Sequence, residues 1–355
     1  MTANAFAEGH DELRTVARDL LGKAPAPEWR LLADAGWLGL EVPEALDGAG
    51  ATLAEVAVVL EEMGRAATIA PYLGTTVLGV GTLNLLTPNP GRDALLRLVA
   101  AGDRKLAVAL PTGDDDVLPF RFEGGRLHGR AEFVPDAPGA DRLLLPALDA
   151  GGEPVVAIVH TGDGAPAGLT VTTQPVLDAT RELGVVTADG VEVPDAAVWR
   201  FADEPSEAVR RLHDRAALAV ACDSLGLSSA MLDATVAYAG VRHQFGRPIG
   251  SFQAVKHACA DMLVQISVAR ELVGAAVRAV VDDDEDASRA VAMAKSYACG
   301  TGVDVVGKAL QLHGGIGYTW ESGIHVHLKR AALNRSLFGS PLAHRRRLAE
   351  RYATD

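Results

Sequence analysis

Proline placement restricts this chain more than any other feature. Ten of the 18 prolines fall between Pro111 and Pro205, and only Pro248 and Pro341 lie beyond. A proline breaks a helix interior because it lacks an N–H and its ring clashes with the preceding turn. The middle third is therefore expected to be strands and turns, with helical regions on both sides. In the first hundred residues, Glu12 to Leu21, Trp29 to Gly36 and Thr52 to Gly64 carry helical patterns. Thr52, with Glu55 three residues on, has the form of a capping box. Short β-type runs begin at Leu106, Arg126, Arg142, Val155, Leu169 and Leu183, separated by Gly, Asp and Pro clusters as in a small sandwich or barrel. Helical spacing returns after about residue 205. Leu227, Met231, Ala234, Tyr238 and Val241 form one stripe, and Val255, Cys259, Met262, Ile266, Ala269 and Val273 form another. Such stripes belong to long helices packed in a bundle. The expected fold is α+β and multi-domain: an N-terminal helical domain over 1–103, a β-domain over 104–204 and a C-terminal helical bundle over 205–355.

Composition narrows the function classes. Of 355 residues, 48% are hydrophobic and 22% charged, enough apolar material for a large core. Lys and Arg total 33 against 46 Asp and Glu, a net charge of −13 that disfavours general nucleic-acid binding. No apolar run is expected to cross a membrane, and the N-terminus has no secretory signal pattern, so a cytoplasmic chain is the expectation. Cys222, Cys259 and Cys299 are odd in number and widely spaced, which forms neither a disulfide framework nor a zinc set. Asp282 to Asp286 is expected to be a solvated loop, not a metal site.

Two segments carry chemistry. In Arg242-His-Gln-Phe-Gly-Arg-Pro-Ile-Gly-Ser-Phe-Gln253, a helix runs into a sharp glycine- and proline-bearing connection before the next helix starts. An arginine at such a corner suits a phosphate, although Arg242 and Gln253 could equally cap a helical hairpin. In Gln311-Leu-His-Gly-Gly-Ile-Gly-Tyr-Thr319, three glycines after a helix bare the backbone so that N–H groups can approach an anion or a flat ring. A plain C-cap and turn is the alternative. With no preceding strand, this is not a Rossmann fingerprint.

Together, in this order, the two segments resemble signatures of the acyl-CoA dehydrogenase family. The resemblance extends to Trp37-Leu-Gly-Leu-Glu-Val-Pro-Glu, Glu61-Glu-Met-Gly-Arg, Arg181-Glu-Leu and Gly190-Val-Glu-Val-Pro. It implies a helical domain, a β-domain and a four-helix bundle, assembled as a dimer or tetramer. It also implies a reaction: a base removes the α-proton of an acyl-CoA or similar acyl thioester, and FAD takes the β-hydrogen as hydride. Electrons would then leave through an electron-transferring flavoprotein. By family position, Arg242, Gln244 and Phe245 would contact the pyrophosphate and adenine end of FAD. Gln311, Gly314 and Gly315 would touch the FAD of a neighbouring subunit.

The departures from that pattern bear directly on catalysis. The family's usual base position falls on Phe338, and a second branch's base position falls on Ala216. Asp214 lies two residues away, about 200° round a helix with ~3.6 residues per turn. The flavin-contacting stretches of the β-domain map onto Leu110 to Thr112 and Phe133 to Pro135, without the expected indole and hydroxyl. Pro135 also removes an N–H. Three readings follow. The first is a dehydrogenase with a relocated base, for which Asp261 and Glu321 are the candidates. The second is one subunit of a hetero-oligomer, as in the actinobacterial branch acting on steroid side chains, where unlike subunits share flavin sites and one supplies the base. The third is a flavin-free or non-redox scaffold. His313 is expected to pack at a helix end or contact cofactor, and His325 and His327 point to different helix faces. Arg345 to Arg347 with Arg351 are expected on a solvated helix face, and no serine has the context of a nucleophile.

Overall fold

The computed structural model describes residues 3–114, 117–319 and 322–352. Its helices are α1 (Ala3–Leu21), α2 (Trp29–Asp34), α3 (Leu53–Arg65), α4 (Gly81–Leu85), α5 (Pro90–Ala100), α6 (Pro205–Val241), α7 (Gln253–Val281), α8 (Ala287–His313), α9 (Ile324–Ser336) and α10 (Pro341–Tyr352). Among the described residues, eight strands lie between α5 and α6: β1 (Leu106–Val108), β2 (Phe120–Glu123), β3 (Arg126–Pro135), β4 (Arg142–Asp149), β5 (Pro154–His160), β6 (Leu169–Thr173), β7 (Leu183–Glu192) and β8 (Val198–Arg200). The proline-rich third is thus the strand region. A family-type arrangement of helices, sheet and helices follows along the chain. Contacts divide it into two compact units, one made of 26–56 and 69–216, the other of 1–25, 57–68 and 217–355.

The first unit holds the sheet. Its strand order is β6-β7-β3-β2-β4-β5-β8, with β1 added in parallel to β4. β2 also pairs in parallel with β4, so both short strands lie on one side of it at successive positions. The result is one continuous hydrogen-bonded sheet of eight strands whose inward residues share a single apolar cluster. Its apolar cluster includes Phe120, Leu127, Val134, Leu143, Leu145, Val155 and Val186, residues that share the buried face by strand alternation. The capping box forms as expected: Glu55 Oε2 accepts the Thr52 N–H at 2.8 Å, and Thr52 Oγ1 accepts the Ala54 N–H at 3.2 Å. Asn89 caps α5 by accepting the Arg92 N–H at 2.9 Å, with Pro90 in the first turn.

A buried π-helix, Leu73–Val80, leads into α4 and was not anticipated. Its wide turns leave backbone groups for outside partners. Arg215 Nε donates to the Val77 carbonyl while its guanidinium pairs with Glu41. Thr75 Oγ1 exchanges two hydrogen bonds with the Leu106 backbone, and Asp136 Oδ2 accepts the Gly74 N–H at 2.7 Å. These contacts tie the π-helix to the start of β1 and the end of β3.

The second unit is helical. A Cβ on Gly64 would lie 2.0 Å from the Asp223 carbonyl oxygen, and one on Gly226 would lie 1.7 Å from that of Glu61. Backbones of α3 and α6 therefore touch, which only glycine at both positions permits. Beneath this crossing, Asp223 and Arg330 are fully or nearly fully buried, at 0% and 3% exposure. Arg330 Nε donates to both Asp223 oxygens at 3.1 and 3.0 Å, and its Nη1 donates to the Thr68 carbonyl at 2.8 Å. Asn334 Nδ2 adds a bond to Asp223 Oδ2 at 2.6 Å, and Lys295 Nζ donates to the Asn334 carbonyl at 2.5 Å. Buried charge is tolerated here because each group has partners.

The α7 stripe is largely as expected, with Met262, Ile266, Ala269 and Val273 buried. The α6 stripe drifts: Leu227 and Met231 are buried, but Tyr238 is half-buried and Val241 is 74% exposed. By length and composition α6 could cross a membrane, contrary to expectation. However, 83% of its apolar window is buried inside the protein, as in a core helix. Cys222 and Cys299 are buried as expected, and burial pushes the Cys222 thiol up from its ordinary value. Cys259 is only half-buried.

Candidate functional site

The helical unit brings the two signature segments to the same ends of α6 and α8. The Tyr238 ring stacks on the His313 ring, with centroids 4.4 Å apart and planes at 20°. Tyr238 lies one turn before Arg242, and His313 immediately precedes Gly314. His313 Nδ1 also bonds the Ala309 carbonyl at 2.8 Å, and the residue is buried, which matches the expected packing role.

After α6, His243–Gln244 pairs antiparallel with Arg247–Pro248, leaving a two-residue loop. That loop is Phe245 and Gly246, with φ of 52° and 79°. Two positive φ values in a two-residue loop match a type I′ hairpin turn. Glycine adopts this backbone readily, whereas phenylalanine in the left-handed region costs on the order of 1 kcal/mol. The Phe245 side chain is nonetheless 92% exposed. Its ring meets Phe252 edge-on at 6.1 Å, and the Arg247 guanidinium lies 4.2 Å over the Phe252 ring. The Ile249 N–H bonds the Arg242 carbonyl at 2.7 Å and closes the corner. Arg242 and Gln244 are exposed beside this tip.

At the end of α8, Gly314 has φ 60° and ψ −141°, a backbone that in practice admits only glycine. Gly315 differs: its φ is unremarkable, and an added Cβ would meet nothing within 4 Å. Nothing inside the described chain therefore requires glycine there. Gln311 is exposed on the same turn. The hairpin offers a guanidinium, an amide and an aromatic ring, and the turn after α8 offers the exposed Gln311 amide beside open space over Gly315, although the Gly314 N–H is taken by the Gln311 carbonyl; each suits a ligand with anionic or flat parts.

The stretches mapped to the flavin's redox end lie in the sheet unit. Thr112 Oγ1 donates to the Glu132 carbonyl at 3.2 Å, so the two stretches do meet. The pairing of β3 with β7 slips between Ala131 and Val134, forming a bulge. Phe133 in that bulge has φ 55°, and its N–H is taken by Gln174 Oε1 at 2.7 Å. With Pro135 lacking an N–H, the bulge withholds two backbone donors from any ligand.

Neither position that the resemblance assigns to a base holds a carboxylate. Phe338 has φ 58° and 3% exposure, and His344 Nε2 donates to its carbonyl at 2.9 Å. A Cβ on the next residue, Gly339, would fall 2.8 Å from that same Nε2, so the loop is packed shut around an aromatic side chain. Ala216 is fully buried, and Asp214 is held by Arg210 at 3.2 Å. Asp261 is placed on an exposed face of α7. Glu321 lies outside the described residues. The Phe245 strain, the Gln174 contact and the π-helix were not found by sequence reasoning. The dense Gly and Thr content of Gly74 to Thr82 was the available signal for the last of these.

Comparison with known proteins adds a lineage. Residues 1–103 match the description "Acyl-CoA dehydrogenase, N-terminal domain", and residues 208–353 match "Acyl-CoA dehydrogenase, C-terminal domain". The chain is 34% identical to the acyl-CoA dehydrogenase IpdE2 of Mycolicibacterium smegmatis, over 98% of this chain and 95% of that protein. Among solved structures, a variant of the Tcur3481-Tcur3483 steroid ACAD is 30% identical, with a TM-score of 0.87 and 98% of both chains covered. The ChsE4-ChsE5 complex of Mycobacterium tuberculosis is 27% identical, with a TM-score of 0.88 and the same coverage.

Proposed function

Because this chain belongs to the acyl-CoA dehydrogenase family, we propose that it takes part in FAD-dependent α,β-dehydrogenation of an acyl-CoA thioester as one subunit of a hetero-oligomer, sharing flavin sites with an unlike subunit that supplies the base. The observation that carries this is Phe338. The loop where the family places its carboxylate is filled by a buried phenyl ring and fastened by His344. Abstraction of an α-proton needs a basic group within hydrogen-bond reach, and a phenyl ring has none. The Tcur3481-Tcur3483 and ChsE4-ChsE5 structures, each named for two chains, support an unlike pairing.

The residues present fit a flavin dinucleotide at its diphosphate end. Arg242 and Gln244 are exposed at the hairpin, Phe245 projects from it, and the space over Gly315 is unfilled. Arg242, Gln244 and Phe245 would hold the pyrophosphate and adenine end of one flavin. Gln311, Gly314 and Gly315 would hold that of a flavin in the neighbouring subunit. Flavin, when bound, supplies the hydride acceptor for the β-carbon. This chain's part is to bind and orient, while proton removal falls to the unlike subunit. Electron-transferring flavoprotein as acceptor, a tetrameric assembly and a cytoplasmic setting complete the reading.

The flavin content of the purified assembly tests this. Arg242→Ala is expected to lower the flavin retained per chain, and Gly315→Leu to do the same without lowering the chain's thermal midpoint. Unchanged flavin in both variants would remove the assignment. A chain colourless in every pairing would leave the flavin-free scaffold in its place. If the base is instead on this chain, Asp261→Asn or Glu321→Gln should abolish turnover with flavin still bound. Full activity in both is the result expected from the unlike-subunit reading.

A further inference from the structure

The sheet unit carries a second cleft, built from parts that the reaction above does not use. Arg104 just precedes β1, Arg142 opens β4 and His160 ends β5, where it is the cross-strand neighbour of Arg142. The topology thus gathers three basic groups at adjoining strand ends in a protein of net charge −13. Each guanidinium uses Nη1 on a neighbouring backbone carbonyl, Arg104 on Asp103 at 2.7 Å and Arg142 on Asp141 at 2.8 Å. Neither makes an ion pair among the described residues. Partial burial, then the Arg142 and Arg104 charges, hold the His160 imidazole below its ordinary value. Partial burial, then Arg104, lower Arg142 likewise, with the Asp141 carboxylate opposing them. Of the nearby carboxylates, Asp141 Oδ2 accepts the Lys105 N–H at 2.8 Å and its charge partly offsets Arg142, Glu192 pairs with Arg126 at 2.5 Å, and Asp163 lines the same polar volume as Arg104 and Arg142. Cations held this close repel one another, a cost that a further anion would relieve.

Arg142 stands between two open volumes. One, of about 570 Å³, is lined by Arg104, Asp141 and the polar turn at Thr161 to Asp163. The other, of about 420 Å³, lies against α5 and is lined largely by apolar groups, including Ala94, Leu95, Leu98, Ile158, Val193 and Trp199. Its size falls within the roughly 300–1,000 Å³ of small-molecule sites. Gly91, Ala94 and Leu98 recur on one face of α5, and Leu98 is 37% exposed, so an apolar helix stripe faces the opening. The Trp199 ring is fixed by an Nε1 bond to the Ala196 carbonyl at 2.9 Å. It approaches so near that a Cβ on Gly91 would sit 3.0 Å from it.

We propose that this cleft binds an amphipathic carboxylate, with its apolar body against α5 and Trp199 and its oxyanion on Arg142 and Arg104. The charge complement is a planar oxyanion, which a guanidinium fork receives through paired N–H donors. The apolar lining excludes a fully polar anion as the preferred occupant.

Pyrenebutyrate, a fluorescent amphipathic carboxylate, tests the site on the purified full chain, with its methyl ester as the neutral control. Saturable binding at this cleft is expected. Arg142→Gln, which removes the charge, and Ala94→Trp, which fills the cleft, should each weaken it by about tenfold or more at an unchanged thermal midpoint. The ester should bind weaker by a similar factor. Absence of saturable binding, equal binding of acid and ester, or an affinity unmoved in both variants would each overturn the proposal.

Discussion

Arg330→Ala is expected to destabilise the helical unit by about 3–5 kcal/mol, the range seen when one partner of a buried ion pair is removed. The reason lies in the accounting around Asp223. Its carboxylate is fully buried and accepts from Arg330 Nε and Nη2, with Asn334 on the second oxygen. Removing the guanidinium takes away the opposing charge and also orphans the Thr68 carbonyl, which Arg330 Nη1 serves at 2.8 Å. The neighbouring backbones cannot close over the gap, because α3 and α6 already touch at Gly64 and Gly226. A urea titration followed by far-ultraviolet circular dichroism reads the loss. The paired change Asp223→Leu with Arg330→Met should recover much of it, since apolar replacement of a whole buried pair is often neutral or better. A single variant within about 1 kcal/mol of the parent would mean the pair is wetter than its burial implies.

What could be read from the sequence followed local rules. The capping box at Thr52 and Glu55, the α7 stripe and the strand region under the prolines all depend on residues a few positions apart, and all are present. The α6 stripe failed toward its end because the helix runs 37 residues and is buried around most of its middle, so no single face governs it. Parallel pairing of β1 and β2 with β4 is a long-range choice that spacing does not encode. The π-helix is decided by partners as distant as Leu106, Asp136 and Arg215.

The same division holds for the site. The two corners that carry Arg242, Gln244, Gln311, Gly314 and Gly315 were legible because glycine and proline mark them, while the roles of these residues came only from the family resemblance. Left-handed Phe245, the Tyr238–His313 stack and the taken Phe133 N–H were not, since each depends on geometry between elements. Arg104, Arg142 and His160 are scattered through the strand region and become a cluster only when β1, β4 and β5 align.

The second large effect concerns turnover itself. A positioned general base contributes roughly 10²–10⁴-fold to a proton-transfer step. With phenylalanine at 338 and alanine at 216, this chain has no carboxylate at either position that the resemblance assigns to a base. Acyl-CoA-dependent reduction of an artificial electron acceptor, measured with this chain alone and with an unlike family subunit, isolates that contribution. The expected result is background rate for the chain alone and turnover for the pair, with the pair falling by about 10²–10⁴-fold when the unlike subunit's base carboxylate is replaced by its amide. Turnover by this chain alone at the rate of the pair would contradict the assignment of its catalytic base to another polypeptide.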